Sequence, residues 1–445
     1  MPKLLLITAS APGIRKVRQS RVLNFQQITM PYLAARVPAG WQTIHIDEEV
    51  EDIDWDMEVD LVGITFHTPS ASHAYHIAAH FRSRQVCVVM GGPHVTLLPA
   101  EASQHADVIF IGEAEGLWEE FLRSFASGAH RRVYQQTGAV SLEKVPMADK
   151  ASFHRRDHTA GVLFATRGCP YRCDFCTIAR MYPHGLRQRP VAEVAAEYAS
   201  FKGRVIILWD DNLAGDMAYA KALFRAITPY RKWWSSQASL QAGRDDEFLA
   251  LAAQSGCKQL FLGLESILQA SMAEVNKGGN RVDEYGRVIA RIHSHGIAVQ
   301  AGIVFGFDHD GPEIFDDTVD FLEAAGVQNA TFNILTPFPG TPLFRRLEAE
   351  GRILTRDWSR YNSRDDVVYR PKRMSASELL AGFRDANERF YSLSSIAKRL
   401  SRSPVQVFWT LPLNLAYGYR WWKTARTAAQ PLSAVDLARA CSPNG

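Results

Sequence analysis

The feature that most constrains the fold is an alternation, kept up over most of the chain, between short β-rich apolar runs and segments of helical period. Between residues 1 and 130 the runs are KLLLITA, QTIHID, DLVGITF, VCVVMGG and DVIFIGE, separated by stretches such as SASHAYHIAAHFRSR. Strands that alternate with helices pair in parallel, because each return to the sheet passes through a crossover. The spacing therefore predicts a doubly wound, Rossmann-like α/β sheet over 1–130. Ligand contacts in such a sheet belong where its strands end. Those ends carry turn residues: Thr65 to Ser72 after the third run, Gly91-Gly92-Pro93-His94 after the fourth, and Gly112-Glu113-Ala114-Glu115 after the fifth.

Residues 131–160 are polar and aperiodic and read as a linker. A second series begins at 161: GVLFATRG, RVIILWDDN, KWWSSQA, CKQLFLGLES, IAVQAGIVFGFD and NATFNILTPFPG, with helix-period segments between them. Six strands with intervening helices predict a partial (βα)6 barrel of the TIM type over 161–340, with its chemistry at the C-terminal strand ends. Residues 341–445 are charged and helical, then aromatic at 408–422, and form a helical C-terminal region. A chain of 445 residues has room for two cores and such an appendage.

Composition excludes several functions. Fifty basic against 47 acidic side chains leave a net charge of +3, too small a bias for nucleic acid as the main partner. The apolar run in MPKLLLITAS is too short for a secretory signal, and the most apolar stretch, 405–422, is interrupted by Pro412, Asn414 and Arg420. Six cysteines in so long a chain are not a secreted disulfide framework, so a cytoplasmic protein is expected.

Three of those cysteines, Cys169, Cys173 and Cys176, fall within RGCPYRCDFCTIAR, directly after the first strand of the second series. Thiolates at C-x3-C-x2-C spacing can hold a zinc ion, which in a structural site needs a fourth ligand such as His184. They can also hold a [4Fe-4S] cluster through three irons, leaving the fourth open to a substrate or cofactor. Cys87 and Cys257 lie in or beside apolar strands and read as core thiols; Cys441 reads as an incidental thiol in a loose tail.

The C-x3-C-x2-C run after a first barrel strand, with Phe175 just before the last cysteine, resembles the radical S-adenosylmethionine (SAM) enzymes over 161 to about 340. The resemblance implies that Cys169, Cys173 and Cys176 ligate the cluster and that the open iron chelates SAM. An electron from a donor such as flavodoxin or ferredoxin then cleaves SAM to a 5′-deoxyadenosyl radical. It also implies cofactor contacts at Phe175, at Asp210, Asp211 and Asn212 of WDDN, at Glu265 and Ser266 of GLES, and at Gly302 and Gly306 of GIVFGFD. The residue types alone leave open a loop turn or helix cap for WDDN, and a packing role for the two glycines.

A doubly wound domain ahead of such a barrel resembles the cobalamin-binding class of these enzymes, which implies that Thr65, Gly91, Gly92, His94, Gly112 and Glu113 lie in the loops that hold the corrinoid and its nucleotide tail. No D-x-H-x-x-G follows the first strand, so no histidine ligand to cobalt is expected from that motif. The glycine pair is also ordinary turn chemistry, and His67, His73, His76 and His94 are candidates for phosphate or amide contacts that read first as surface or satisfied core histidines. The segment after the barrel is similar to that of a subfamily including hopanoid-type methylases.

The expectation is a cobalamin-dependent radical SAM methyltransferase acting at an unactivated carbon, or phosphorus, of a small or moderately apolar metabolite. Catalytic side chains beyond the cofactor set are not assigned. The alternatives are a radical SAM enzyme without methyl transfer (cyclisation, oxidation or rearrangement) and a zinc or redox-sensing cysteine module. The aromatic stretch at 405–422 reads as a helix packed on the barrel or as a peripheral membrane contact, and Pro412 suggests two short helices meeting at a bend.

Overall fold

The computed structural model describes residues 1–10, 27–149, 160–401, 403 and 407–425. The first sheet holds β1 (Lys3–Thr8), β2 (Gln42–Asp47), β3 (Leu61–Thr65), β4 (Cys87–Gly91), β5 (Val108–Ile111) and β6 (Val133–Gln135), in the order β2-β1-β3-β4-β5-β6 and parallel throughout. Its central strands are apolar on both sides because both sides are covered. Leu5, Ile7, Val62 and Ile64 face the helix Ala71–Ser83, while Leu4, Leu6 and Leu61 pack with Trp118 and Phe121 of the helix Leu117–Ala126.

The segment read as a linker supplies β6 at its start. Only Tyr134 of that strand is buried, stacked on Phe110 at 4.9 Å, and three residues between polar neighbours carry too little period to be seen in sequence. Further along, Leu142, Val145 and Ala148 pack with Tyr32 and Phe164. The buried Glu197 carboxylate gathers this junction. It accepts from the Tyr32 hydroxyl (2.9 Å), from Ala148 N (3.1 Å) and from buried Arg189 (2.6 Å).

The second sheet begins with β7 (Gly161–Leu163), after which β8 (Thr166–Arg167) and β9 (Arg187–Gln188) pair as a small antiparallel ribbon. It continues with β10 (Val205–Leu208), β11 (Trp233–Ala238), β12 (Cys257–Glu265), β13 (Ala298–Phe305) and β14 (Asn329–Ile334). The order β7-β10-β11-β12-β13-β14 is parallel and unbroken, so each strand lies beside the next one in the chain, as in a barrel that does not close. The expected six strands and their order are all present.

The C-terminal region forms the helices Ala376–Phe390, Leu393–Leu400 and Val407–Ala425. The last of these corrects the expectation of two short helices, because it runs through Pro412 without a break. Anchors on both sides of the proline offset the lost backbone hydrogen bond. Trp409 donates to Gln259 (3.1 Å), the Tyr417 hydroxyl accepts from Gln300 (3.3 Å), and the Asn414 amide lies between Arg399 and the Gln328 carbonyl. Gln259 and Gln300 sit near the N-terminal ends of β12 and β13, so this helix covers the end of the barrel opposite the cysteines. Among the described residues no helix is long and apolar enough to cross a membrane. Residues 405 and 406 and Cys441 lie outside the described residues. Cys257 is buried and Cys87 half-buried, as expected of core thiols.

Candidate cluster and cofactor site

The cysteine loop is strung between β8 and β9, which tie its two ends together. Gly168, the first residue of the loop, has φ +84°, and a Cβ there would stand 2.3 Å from the Gly185 carbonyl oxygen. Only glycine allows the two ends of the loop to cross so closely. The turn after β10 then fixes the approach to Cys169. Asp210 Oδ1 accepts from Ala165 N (3.1 Å), from Thr166 Oγ1 (2.7 Å) and from Thr166 N. Asp211 accepts from Gly168 N (2.9 Å). Asn212 Oδ1 accepts from Ser239 N (2.9 Å), while its Nδ2 donates to Cys169 Sγ (3.7 Å). The structure thus places WDDN as a brace for residues 165–169. Burial pushes Asp210 up to about 7 and also raises Asp211. Asp210 Oδ2 is buried with no hydrogen-bond partner among the described residues.

Burial raises all three thiols, Cys173 to about 11 and Cys176 to about 12. At Cys173 and Cys176 the neighbouring thiols of the trio add to that rise, while the Lys277 ammonium opposes it at all three. Thiols held this way stay protonated until a metal displaces the proton, which suits ligands and not a free nucleophile. Among the described residues no three Cys, His, Asp or Glu side chains gather round one ion position, and His184 is exposed. A mononuclear zinc requires such convergence, whereas a cubane spreads its three thiolates over three irons. The residues fit the cluster. Phe175 packs on the barrel, its ring 6.2 Å from that of Phe307 just past β13.

The other expected barrel contacts are spent partly on the protein itself. Glu265 pairs with Lys277, and Ser266 Oγ accepts from Leu268 N (3.1 Å). Gly302 makes room for the Phe261 ring, which a Cβ would meet at 2.6 Å. Gly306, at φ +105°, lies under the Tyr369 hydroxyl, which donates to its carbonyl. Packing against these side chains accounts for both glycines.

In the first domain, the strand ends face the cysteine loop. The helix Pro93–Leu97, after β4, packs on Ile178–Met181, which follows Cys176. Glu113 is engaged in an ion-pair clamp between domains, with Arg167 at 2.9 Å and Arg187 at 2.7 Å; Glu115 joins Arg167 at 2.5 Å. Gly92, at φ +95°, lets the β4 end pass the β3 end, since a Cβ would fall 2.4 Å from Thr65 Oγ1. Gly91 lies against Phe110, and Gly112 N donates to Thr96 (3.0 Å). His94 is fully buried between Thr68 (3.2 Å) and Glu101 (3.3 Å), and burial lowers its pKa. It is a satisfied core histidine. Trp358, from the segment after the barrel, reaches the same spot and donates to both Glu101 oxygens at 3.0 Å. His73 is paired with Glu48 (2.9 Å), and His76 lies against the Trp55 ring.

Sequence reasoning missed Lys277, Arg167 and Trp358. Arg167 adjoins the motif, but its partners stand some fifty residues earlier. Lys277 sits in an unremarkable NKGG turn, and only the fold brings it to the thiols.

The chain matches the radical SAM superfamily over residues 163–322, a B12 binding domain over residues 14–122, and a domain of unknown function, DUF4070, over residues 341–408. It is 30% identical over 411 residues to bacteriochlorophyllide d C-12(1)-methyltransferase of Chlorobaculum tepidum, a match covering 88% of this chain and 90% of that one. It is 24% identical over 387 residues to hopanoid C-2 methylase of Rhodopseudomonas palustris, covering 82% and 71%. Among solved structures it resembles the radical SAM methyltransferase TsrM from Kitasatospora setae with cobalamin and [4Fe-4S] cluster bound, with a TM-score of 0.65, 18% identity, and coverage of 79% and 75%. The chain belongs to the cobalamin-binding radical SAM enzymes, and its cofactors are a [4Fe-4S] cluster, SAM and cobalamin.

Proposed function

We propose that this enzyme, a cobalamin-dependent radical SAM methyltransferase, methylates an unactivated carbon on the side chain of a moderately apolar metabolite of tetrapyrrole type. The observation that carries the reading is the opposition of two strand-end faces. The corrinoid-side loops of the first sheet are held against the cysteine loop by the Arg167–Glu113–Glu115–Arg187 clamp and by the Pro93–Leu97 contact. When bound, the cofactors would supply a radical that abstracts a hydrogen atom from the substrate carbon, and a transferable methyl group.

The chain's own residues position and exclude. Asp210, Asp211 and Asn212 set the cysteine loop; Arg167 fixes its distance from the first domain; the helix Val407–Ala425 covers the far end of the barrel. In this reading residues 1–130 with β6 hold cobalamin, and 161–340 hold the cluster and SAM. A carbon acceptor is favoured over phosphorus because the 30%-identical relative is named for methylation of bacteriochlorophyllide d. A small acidic redox protein such as flavodoxin or ferredoxin supplies the electron, and a reducing, cytoplasmic setting suits the free thiols.

The test is anaerobic incubation with SAM, reductant, hydroxocobalamin and a panel of chlorophyllide-type tetrapyrroles, followed by mass spectrometry. A product heavier by one methylene unit, formed with S-adenosylhomocysteine, supports the proposal. An altered tetrapyrrole of any other mass, formed without S-adenosylhomocysteine, would replace it with a non-methylating radical reaction.

A further inference from the structure

The loop after β12 reaches back to the cysteine loop and grips it. Asp174 N donates to the Val275 carbonyl (3.0 Å), and Asn276 Nδ2 donates to the Arg172 carbonyl (3.1 Å). The next residue, Lys277, is half-buried and forms an ion pair with Glu265, the last residue of β12. Two departures from regular structure set up that pair. The register between β12 and β13 slips, so that Gly263 faces Gly302 but Glu265 faces Ile303. Glu265 itself takes φ +64°, a conformation costly for a side chain with a Cβ. Together they aim the carboxylate back over Gly263, where a Cβ would lie 2.4 Å from Glu265 Oε1 and 2.9 Å from Lys277 Nζ. The strand end thus keeps a strained residue and a glycine in order to hold one ammonium group next to the cysteines.

The field of that ammonium at the thiols is not cancelled by its partner. Burial opposes the charge of Lys277, but its ion pair with Glu265 holds it protonated. At Cys173 the Lys277 charge favours the thiolate more than the Glu265 charge disfavours it, and Lys277 acts in the same sense at Cys169 and Cys176. Asp211 works against it at Cys169.

We propose that Lys277 is a positioning residue for the cluster electron: its ammonium, fixed by Glu265 and by the 275–277 grip on the cysteine loop, stabilises the negative charge added on reduction and so raises the cluster potential before SAM binds. The step is a one-electron reduction of the cluster by the external redox protein, with no bond made or broken. The inference rests on the cluster assignment and not on the identity of the methyl acceptor.

The experiment is a potentiometric titration, read by electron paramagnetic resonance, of the full-length protein reconstituted without oxygen and without SAM, cobalamin or substrate. Iron and sulfide content confirm that each variant is loaded. Lys277→Met is expected to lower the reduced-to-oxidised ratio about tenfold at the parental midpoint, equivalent to about 59 mV for a one-electron couple. Glu265→Gln is expected to shift the ratio the opposite way, and Lys277→Arg to stay near the parent. A loaded Lys277→Met protein with the parental potential overturns the proposal, including the case in which SAM affinity alone is lost. If Lys277→Met does not hold the cluster, the sign of the Glu265→Gln shift decides: positive supports the proposal, null or negative overturns it. A potential shift seen in a protein that methylates no tetrapyrrole would leave this inference standing while removing the proposed substrate.

Discussion

Asn414 offers a direct check on the role of the C-terminal helix. It is fully buried; Oδ1 accepts from Arg399 Nη2 (3.1 Å), and Nδ2 donates to the Gln328 carbonyl (3.1 Å) and to Thr410 O within its own helix. Arg399 is buried as well, stacked 3.7 Å over the Phe390 ring, and its charge is met by carbonyl oxygens of Val327, Gln328 and Phe390 together with this amide. Burial presses its pKa down to about 10. Replacing Asn414 by Ala removes one hydrogen bond to a charged donor, worth about 1.5–3 kcal/mol, and two neutral bonds of about 1 kcal/mol each. The expected loss is about 3.5–5 kcal/mol, or a fall of about 7–20 °C in the barrel transition for a unit of this size. The control is Leu415→Ala, one position away but 48% exposed, which should stay within about 0.5 kcal/mol of the parent. Calorimetry of the full-length apoprotein compares the two. Equal melting of both variants would refute the account of this helix as a packed cover for the barrel.

Two further outcomes follow from buried charge. Asp210 has its pKa raised by burial to about 7, so between about pH 4 and pH 7 the native state binds a proton that the unfolded state has released. Stability therefore falls as pH rises through that window, by at most about 1.4 kcal/mol per unit, and levels off above it. Asp210→Asn should flatten the slope in urea midpoints taken across the window, and an unchanged slope would show that Asp210 does not titrate there. Glu197→Ala leaves Arg189 buried without its carboxylate and should cost about 3–5 kcal/mol, seen as loss of soluble protein or a large drop in urea midpoint.

What the sequence made legible was whatever a periodic pattern or a dense motif can carry. The six strands of the second series and the cysteines after its first strand were readable because long apolar runs and C-x3-C-x2-C spacing are local signals. β6 was not, because Tyr134 alone faces the core. The helix through Pro412 was misread because its continuity rests on tertiary anchors at Gln259, Gln300 and Arg399, far away in sequence. The same limit applies at the site. WDDN was singled out by type, but that it braces residues 165–169 depends on how β10 lies beside β7. Lys277 stands about a hundred residues from the cysteines in sequence, and nothing in NKGG announces the strained Glu265 that holds it.

The central claim is that Cys169, Cys173 and Cys176 together hold the cluster that cleaves SAM. Its most direct test is the yield of 5′-deoxyadenosine from SAM and reductant under anaerobic conditions, measured for the parent and for three single Cys→Ala variants after identical reconstitution. With no other Cys near the loop among the described residues to stand in, each substitution is predicted to abolish 5′-deoxyadenosine while the protein remains folded by circular dichroism. Formation at the parental rate by any one of the three would contradict the assignment.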